Sequence, residues 1–179
     1  MEYKILFTGA AGAGKTTAIG AVSEIKPMST DVQNNDTSLG KATTTVGLDY
    51  GELTLEGGDK LRLYGTPGQL RFEFMWKILS KGALGLIILI DNRRPDPLAD
   101  LDMYVSNFKK LIADTACVVA VGRTETHATP SLEQFSEMLH GKGVMCPVLA
   151  TDVRSTEQVV QLLELLMLQL ESKTESTNE

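Results

Sequence analysis

The stretch from Gly9 to Thr16, GAAGAGKT, constrains the fold of this chain more than any other part of its sequence. It fills every fixed position of the pattern G-x-x-x-x-G-K-[ST] and lies between a short apolar run and a segment with helical spacing. Small residues let backbone N–H groups curl around a phosphate, and the dipole of the following helix points at the same anion. The stretch therefore predicts a strand, a phosphate-binding loop and a helix; the alternative is a glycine-rich turn that binds nothing.

The loop positions have separate predicted roles in holding a nucleoside triphosphate. The Lys15 ammonium, expected to be exposed, is predicted to reach the β- and γ-phosphates and to take part in catalysis. The Thr16 hydroxyl is predicted to bind Mg²⁺. The residues predicted to surround the phosphates are Gly9, Ala11, Gly12, Ala13, Gly14, Lys15, Thr16 and Thr17.

Strand-like apolar runs alternate with segments of helical period along the chain. The predicted strands are Tyr3–Thr8, Val46–Leu55, Lys60–Tyr64, Gly85–Ile90, Cys117–Val121 and Pro147–Ala150. The predicted helices are Lys15–Ile25, Phe72–Lys81, Leu98–Ala113, Leu132–His140 and Thr156–Leu170. This alternation is typical of an α/β fold with helices on both faces of a parallel sheet, in three layers. A hairpin turn at residues 56–59 adds an antiparallel edge strand, so the prediction is a six-stranded, mostly parallel sheet.

The length of 179 residues suits one domain, and no linker or repeat divides the chain. We predict a single domain over residues 1–170. Residues 26–44 form a polar stretch without a period, which predicts a long loop with a functional reason for its length. Residues 171–179 contain no apolar side chain and are predicted to be a disordered tail.

Composition and termini restrict the partners and the location of the protein. A net charge of −6 argues against a nucleic-acid partner, because such a protein needs a basic face. The longest apolar run, Ala83 to Ile90, is too short to span a membrane, and neither a signal peptide nor a lipid-anchor motif is visible. Cys117 and Cys146 do not form a secreted disulfide framework and are expected to be reduced thiols. We therefore expect a cytoplasmic protein without a membrane anchor.

Two further stretches carry a resemblance to a known family. Residues 43–47, TTTVG, precede the second predicted strand, and residues 65–72, GTPGQLRF, follow the third. In this order after the phosphate loop, they resemble the Ras-like small GTPases over roughly residues 3–170. The stretch TPGQLRFEFMW is most similar to the bacterial MglA-like branch, whose members are encoded with roadblock-domain partners.

The resemblance implies a function as well as the Ras-like P-loop NTPase fold. It implies a molecular switch that binds GTP and GDP with Mg²⁺ and hydrolyses GTP slowly. The implied switch loops are residues 28–47 and 65–76, and a roadblock/LC7-type regulator or effector is implied as their partner.

Three residues take their roles from the resemblance. Thr45 lies where the family binds Mg²⁺ and senses the γ-phosphate, with Thr44 as the alternative register. Gly68 is implied to donate its amide to the γ-phosphate, and Gln69 is implied to orient the attacking water.

The chain departs from the family pattern at two positions near the phosphates. Gly65 replaces the aspartate that begins switch II in the family and holds Mg²⁺ through water, so a weaker metal site is expected. On the same grounds, Gly65→Asp is expected to tighten Mg²⁺ binding without a large change in fold. Ala11 replaces a glycine that lies close to the γ-phosphate in Ras.

The guanine-recognition motif is the weakest match. Gly122-Arg123-Thr124-Glu125 stands where the family has Asn-Lys-x-Asp, and Gly122 cannot replace the asparagine. The Glu125 carboxylate can accept the N1–H and N–H₂ of guanine, and the Arg123 stem can lie over the base. The second base-contacting loop is predicted to be Thr151-Asp152-Val153-Arg154, with Asp152 and Val153 as its candidate contacts. The alternative for residues 122–125 is a plain surface turn.

Two other functions stay open at this point. Residues 86–91, LIILID, form an apolar strand ending in Asp91, which is also typical of an ATP-using P-loop enzyme. A pseudo-GTPase scaffold is the second alternative, favoured by Gly65 and Gly122 and opposed by Lys15 and Gln69. For Met75 and Trp76 the alternatives are helix core and an apolar surface that a regulator contacts.

Overall fold

The computed structural model describes the backbone of residues 1–34 and 44–177 and the side chains of residues 1–28 and 48–176. Within these residues one seven-stranded sheet has the order β2-β3-β4-β1-β5-β6-β7. Its strands are β1 (Glu2–Gly9), β2 (Met28–Asn34), β3 (Thr44–Thr54), β4 (Lys60–Gly65), β5 (Ala83–Asp91), β6 (Ala116–Gly122) and β7 (Val148–Ala150). The helices are α1 (Lys15–Val22), α2 (Glu73–Ser80), α3 (Pro97–Asn107), α4 (Lys109–Asp114), α5 (Leu132–Gly141) and α6 (Thr156–Thr177).

The predicted fold class is confirmed. All six predicted strands are present, and β4, β1, β5, β6 and β7 run parallel to one another. Strand β3 is antiparallel to both of its neighbours, β2 and β4. The described residues contain one strand more than predicted, β2, which lies in the stretch 26–44 where the sequence predicts a loop. An edge strand needs pairing on one side only, so the polar sequence MSTDVQN forms it without an apolar period.

Two helix predictions differ from the structure. The predicted helix Leu98–Ala113 is divided at Phe108, which has φ −105° and ψ 17° and separates α3 from α4. The final helix does not stop at Leu170 but continues to Thr177, through most of the tail predicted to be disordered. A helix already packed by its first turns gains one hydrogen bond for each residue added, so polar residues can extend it. The division of the chain at residue 170 stays a prediction.

The sheet separates two apolar clusters, one on each face. Alternate side chains of β5 point to opposite faces, as expected for a strand: Ile87 and Leu89 join the cluster under α1 and α6. Leu86, Ile88 and Ile90 join the cluster under α2 to α5. In the part of the chain that the structure describes, no helix combines the length and the apolarity needed to cross a membrane.

Trp76 belongs to the core, which decides between the two interpretations left open for it. Its side chain is 2% exposed and stacks on Phe108, with ring centroids 5.6 Å apart. The indole Nε1 donates to the carbonyl oxygen of Pro67 at 3.0 Å. This tryptophan therefore fixes the loop after β4 to the core, while its neighbour Met75 is half-buried.

We expect Trp76→Ala to lower the free energy of unfolding by about 3–5 kcal/mol, because it removes a large buried ring and the Pro67 contact. Urea denaturation followed by far-UV circular dichroism measures this without tryptophan fluorescence. The matched control is Phe74→Ala on the same helix, where the side chain is 54% exposed and the expected change is within about 0.5 kcal/mol. Equal losses in the two variants would contradict the anchoring role.

Candidate functional site

The predicted phosphate loop joins β1 to α1 in the structure. Gly14 precedes the helix with φ +104°, a conformation that favours glycine. A Cβ at Gly14 would lie 2.7 Å from a methyl group of Val153, so no larger residue fits. The loop is therefore packed directly against the segment that follows β7, and Val153 is buried there.

Lys15 is buried, with 7% exposure, so the expectation of an exposed side chain is wrong. Its Nζ donates to the carbonyl oxygens of Gly9 at 2.6 Å and Ala10 at 2.9 Å. Burial lowers the pKa of Lys15 to about 8, against the opposing effect of the Asp49 carboxylate. Since burial disfavours the charged form, an anion placed beside this ammonium would stabilise it strongly.

A carboxylate that the sequence patterns do not single out lies beside Thr16. The Thr16 hydroxyl donates to Oδ2 of Asp49 at 2.6 Å. Asp49 is on β3, directly opposite Gly65 on β4. A Cβ at Gly65 would lie 3.1 Å from both Cβ and Oδ2 of Asp49. The Asp49 side chain thus occupies the space that a side chain at position 65 would need.

The carboxylate beside Thr16 is supplied by β3, so Gly65 does not leave this part of the site without one. The weaker Mg²⁺ binding expected from Gly65 stays a prediction. An aspartate at position 65 would bring a second carboxylate close to Asp49, with its Cβ 3.1 Å from the Asp49 side chain. Gly65→Asp therefore requires the Asp49 side chain to shift by a few tenths of an ångström.

The loop after β4 approaches the phosphate loop closely. A Cβ at Gly68 would lie 2.5 Å from the backbone nitrogen of Ala11, so only glycine allows this approach. The start of the loop is held by Thr66, whose buried hydroxyl is 2.8 Å from the hydroxyl of Thr8. Gln69 is exposed and precedes a single 3-10 turn, Leu70–Phe72.

A cavity of about 270 Å³ brings the phosphate loop together with the two predicted base-contacting loops. Its lining residues are Gly12, Gly14, Lys15, Thr16, Thr17, Arg123, Val153 and Arg154. The carboxyl ends of β1, β6 and β7 lie at the same edge of the sheet, which is where open α/β sheets bind ligands. Sequence segments more than a hundred residues apart thus form one site.

The loop after β6 is held in place by a side chain that follows the end of β5. Arg123 has φ +65°, the only positive φ of a non-glycine residue in the described backbone. The Asn92 amide Nδ2 donates to the carbonyl oxygens of His127 at 2.7 Å and Pro130 at 3.0 Å. Asn92 therefore closes the loop that carries Arg123 and Glu125.

The two carboxylates of the predicted base-contacting loops, Asp152 and Glu125, have different surroundings. Arg154 holds the Asp152 carboxylate through two hydrogen bonds, of 2.9 and 2.8 Å, and lowers the pKa of Asp152 to about 2. Glu125 is exposed; the pKa of the Arg154 guanidinium is raised chiefly by its hydrogen bonds to Asp152 and only slightly by the charge of Glu125. The Asp152 carboxylate is thus engaged by its neighbour, whereas the Glu125 carboxylate is accessible.

Asp91, the residue that favours an ATP-using enzyme, is engaged by Arg93. The Arg93 side chain donates to both carboxylate oxygens, at 3.1 and 2.9 Å, and holds the pKa of Asp91 below its usual value. The Thr16 hydroxyl points to Asp49 instead. Asp49 is therefore the better placed carboxylate for a cation beside Thr16.

Some predicted and some unpredicted residues remain to be placed. The side chains of Thr44 and Thr45 lie outside the described residues, so their metal-binding role stays a prediction. Asp49 and Asn92 are parts of the site that no motif identifies, and Arg154 belongs to the predicted second base-contacting loop but has no predicted role there. The available sequence signals are an acidic residue within a β-rich stretch, for Asp49, and the spacing of two between Asp152 and Arg154.

We expect Gly65→Asp to lower the free energy of unfolding by about 1–3 kcal/mol through this crowding. The double variant Gly65→Asp/Asp49→Ala should recover stability relative to Gly65→Asp, because it removes the opposing carboxylate. Urea denaturation of the two single variants and the double variant gives the coupling energy. Additive effects of the two changes would show that positions 49 and 65 do not share one space.

Comparisons with known proteins agree with this geometry. A family model described as "Conserved hypothetical ATP binding protein" matches residues 28–177, a range that begins after the phosphate loop. An uncharacterized protein, MJ1339, of Methanocaldococcus jannaschii is 32% identical over 93 residues, which cover 50% of this chain and 51% of that protein. This chain thus matches about half the length of that relative.

Two Ras-related proteins match over nearly the full chain. RabC of Dictyostelium discoideum is 22% identical, over 95% of this chain and 84% of that protein. RABC2a of Arabidopsis thaliana is 26% identical, over 95% of this chain and 78% of that protein. Since the family model covers most of the chain, the protein belongs to the family of conserved hypothetical ATP binding proteins, and it is similar to Ras-related proteins over nearly its full length.

Proposed function

We propose that the protein is a small GTP-binding switch that binds GTP and GDP with Mg²⁺ and hydrolyses GTP slowly. The observation that carries this proposal is the single cavity in which Lys15 and Thr16 meet Arg123 and Val153. One end of that cavity offers an ammonium, a hydroxyl and helix N–H groups for phosphates, and the other end offers the two base loops. The groups suited to phosphates and the groups suited to a base thus follow one another along the cavity, as the phosphates and the base do in a nucleoside triphosphate.

The phosphate end is prepared for an anion before any ligand arrives. The Lys15 ammonium is already desolvated and donates to backbone carbonyl oxygens. In the complex, β- and γ-phosphate oxygens become its acceptors and restore a full countercharge. The catalytic contribution proposed for Lys15 is this charge stabilisation.

The residues beside the phosphates fit a hard divalent cation. The Thr16 hydroxyl and the Asp49 carboxylate lie 2.6 Å apart and are oxygen donors of the kind that Mg²⁺ accepts together with phosphate oxygens. We propose these two side chains and Thr45 as the protein's share of the Mg²⁺ site. A bound Mg²⁺ neutralises charge that develops on the β- and γ-phosphate oxygens.

Slow hydrolysis follows from the groups available to the γ-phosphate. Gln69 is proposed to orient the attacking water, and the Gly68 amide is proposed to contact the γ-phosphate from its position against Ala11. Arg71, the nearest arginine in sequence, is exposed and lies over the Phe72 ring at 4.8 Å. The sequence has no arginine in the implied switch loop 28–47, so turnover on the order of 10⁻⁴ to 10⁻² s⁻¹ is expected.

Guanine recognition is proposed for the exposed Glu125 carboxylate, with the Arg123 stem over the base and Asp152 and Val153 in the second loop. The alternative base is adenine. Two observations favour it: the description of the matching family refers to ATP, and Gly122 lacks the asparagine side chain of the guanine motif. Titration with nucleotides of both kinds decides between the two bases.

A protein partner is proposed for the surface next to the loop after β4. Leu70, Phe74 and Ile78 follow one another at intervals of four residues and are 55%, 54% and 58% exposed. Large apolar side chains at helical spacing form a stripe that a partner can cover. The similarity of residues 66–76 to MglA-like proteins suggests a roadblock/LC7-type regulator, in the cytoplasm, that senses the bound nucleotide.

In calorimetric titrations with Mg²⁺, we expect GTP and GDP to bind at least about tenfold more tightly than ATP. The variant Glu125→Ala should lose this preference, because it weakens the binding of guanine nucleotides alone. Lys15→Met, which keeps the packing, should abolish the binding of every nucleotide. A single-turnover assay on the unaltered protein measures the rate of GTP hydrolysis. Tighter binding of ATP would assign the adenine alternative, and turnover above about 1 s⁻¹ would reveal a further catalytic group.

We expect Asp49→Asn to reduce the stabilising effect of Mg²⁺ on bound GDP by at least about tenfold, since a neutral amide is a much weaker cation ligand than a carboxylate. Release of a fluorescent GDP analogue, with Mg²⁺ and with a chelator, gives this effect. Glu52→Gln is the matched control, because Glu52 lies on the same strand and is paired with Lys60. If Mg²⁺ slows release equally in Asp49→Asn and the unaltered protein, Asp49 is not part of the metal site.

A further inference from the structure

Cys117 lies on β6, and Cys146 lies in the segment that enters the neighbouring parallel strand β7. Val119 of β6 pairs with Val148 of β7, and the Val119 amide donates to the carbonyl oxygen of Pro147 at 2.9 Å. Continued back by two residues on each segment, this register brings Cys117 and Cys146 side by side. Both thiols are free and belong to one apolar cluster on the same face of the sheet.

The spacing of the strands suits a covalent bond between these side chains. Neighbouring strands lie roughly 4.7–4.9 Å apart. Disulfides bridge Cα atoms that are about 4.4–6.8 Å apart, so the pair needs no separation of the strands to close. A disulfide at this position would enclose the segment between the two cysteines, which contains the loop of Arg123 and helix α5.

The environments of the two thiols differ in a way that assigns them different roles. Cys117 is 2% exposed, whereas Cys146 is half-buried at the wall of an open cavity of about 580 Å³. The neighbouring Cys117 thiol lowers the pKa of the Cys146 thiol, whereas the Cys146 side chain and burial raise the pKa of the Cys117 thiol. The accessible sulfur is thus also the one with greater thiolate character.

We propose that Cys117 and Cys146 are a reversible dithiol site that hydrogen peroxide oxidises to an intramolecular disulfide, with Cys146 as the attacking sulfur. The Cys146 thiolate attacks one peroxide oxygen, and the O–O bond breaks to give a Cys146 sulfenic acid and hydroxide, which becomes water. The Cys117 thiol then attacks the sulfenic sulfur, loses its proton and releases the second water as the S–S bond forms. The two sulfurs lose two electrons in total, and the peroxide oxygens gain them.

Neither cysteine lines the cavity proposed for the nucleotide, so this site is separate from the proposed function. The bond would join β6 to the segment that enters β7. These strands end in the loops of Arg123 and Val153, which meet the phosphate loop. Oxidation would therefore restrain the two strands that position the base-contacting side of the cavity.

The test uses the full chain, fully reduced and then exposed to hydrogen peroxide under native conditions. Trypsin cuts after Lys110, Arg123, Lys142 and Arg154, so the two cysteines fall on different peptides, residues 111–123 and 143–154. We expect a linked species of these peptides in non-reduced digests of monomeric protein, and its disappearance after dithiothreitol. Oxidation of Met145 to the sulfoxide adds one oxygen to the second peptide and leaves the link identifiable.

Two variants test the assigned order of steps. In Cys117→Ala, the Cys146 sulfenic acid should persist and be trapped by dimedone. In Cys146→Ser, the Cys117 thiol should stay free under the same treatment, because it is buried. The unaltered protein decides the proposal even if a variant does not fold: both thiols remaining free, a link found only between two chains, or over-oxidation of Cys146 with Cys117 unchanged would overturn it.

Discussion

The Lys15 ammonium is buried where β1 meets α1, and a charge removed from water needs oxygen atoms to compensate it. The carbonyl oxygens of Gly9 and Ala10 supply two of them, which requires the backbone to turn back over the side chain. The loop that makes this turn is the one proposed to hold the phosphates. Val153 encloses the phosphate loop on one side, and the loop after β4 encloses it on the other. Positions 14 and 68 therefore have no room for a side chain, and both are glycine.

The direction of the strands determines which side chains reach this loop. The parallel strands β1, β4, β5, β6 and β7 end at one edge of the sheet and bring their following loops together there. The antiparallel strand β3 contributes differently, because its early residues lie beside the carboxyl end of β4. Asp49 can therefore face Thr16 from inside a strand, whereas the other site residues lie in loops or in the first turn of α1.

Local patterns are enough to predict the phosphate loop, the six expected strands and the fold class, since each depends on neighbouring residues and their spacing. They miss strand β2, because its sequence is polar and its pairing partner, β3, begins only at Thr44. They miss Asp49 for a related reason: its contact with Thr16 spans 33 residues and depends on the register of β3. The hydrogen bonds of Asn92 likewise join segments that no motif connects.

The proposed metal site takes its carboxylate from Asp49 on β3, whereas the family pattern places an aspartate at position 65. The position of the metal-binding carboxylate therefore depends on a different element. A carboxylate in the loop after β4 would keep its position as long as that loop stayed ordered. Asp49 instead depends on the pairing of β3 with β4, and a slip of one residue would turn its side chain to the opposite face of the sheet. Strand β3 begins at Thr44, inside the implied switch loop 28–47, so the metal-binding carboxylate proposed here lies on the strand that contains the end of that loop. A shift at the start of β3 would therefore move Asp49 through the backbone. The position of the proposed metal-binding carboxylate thus depends more directly on β3 than on the loop that contains Gln69.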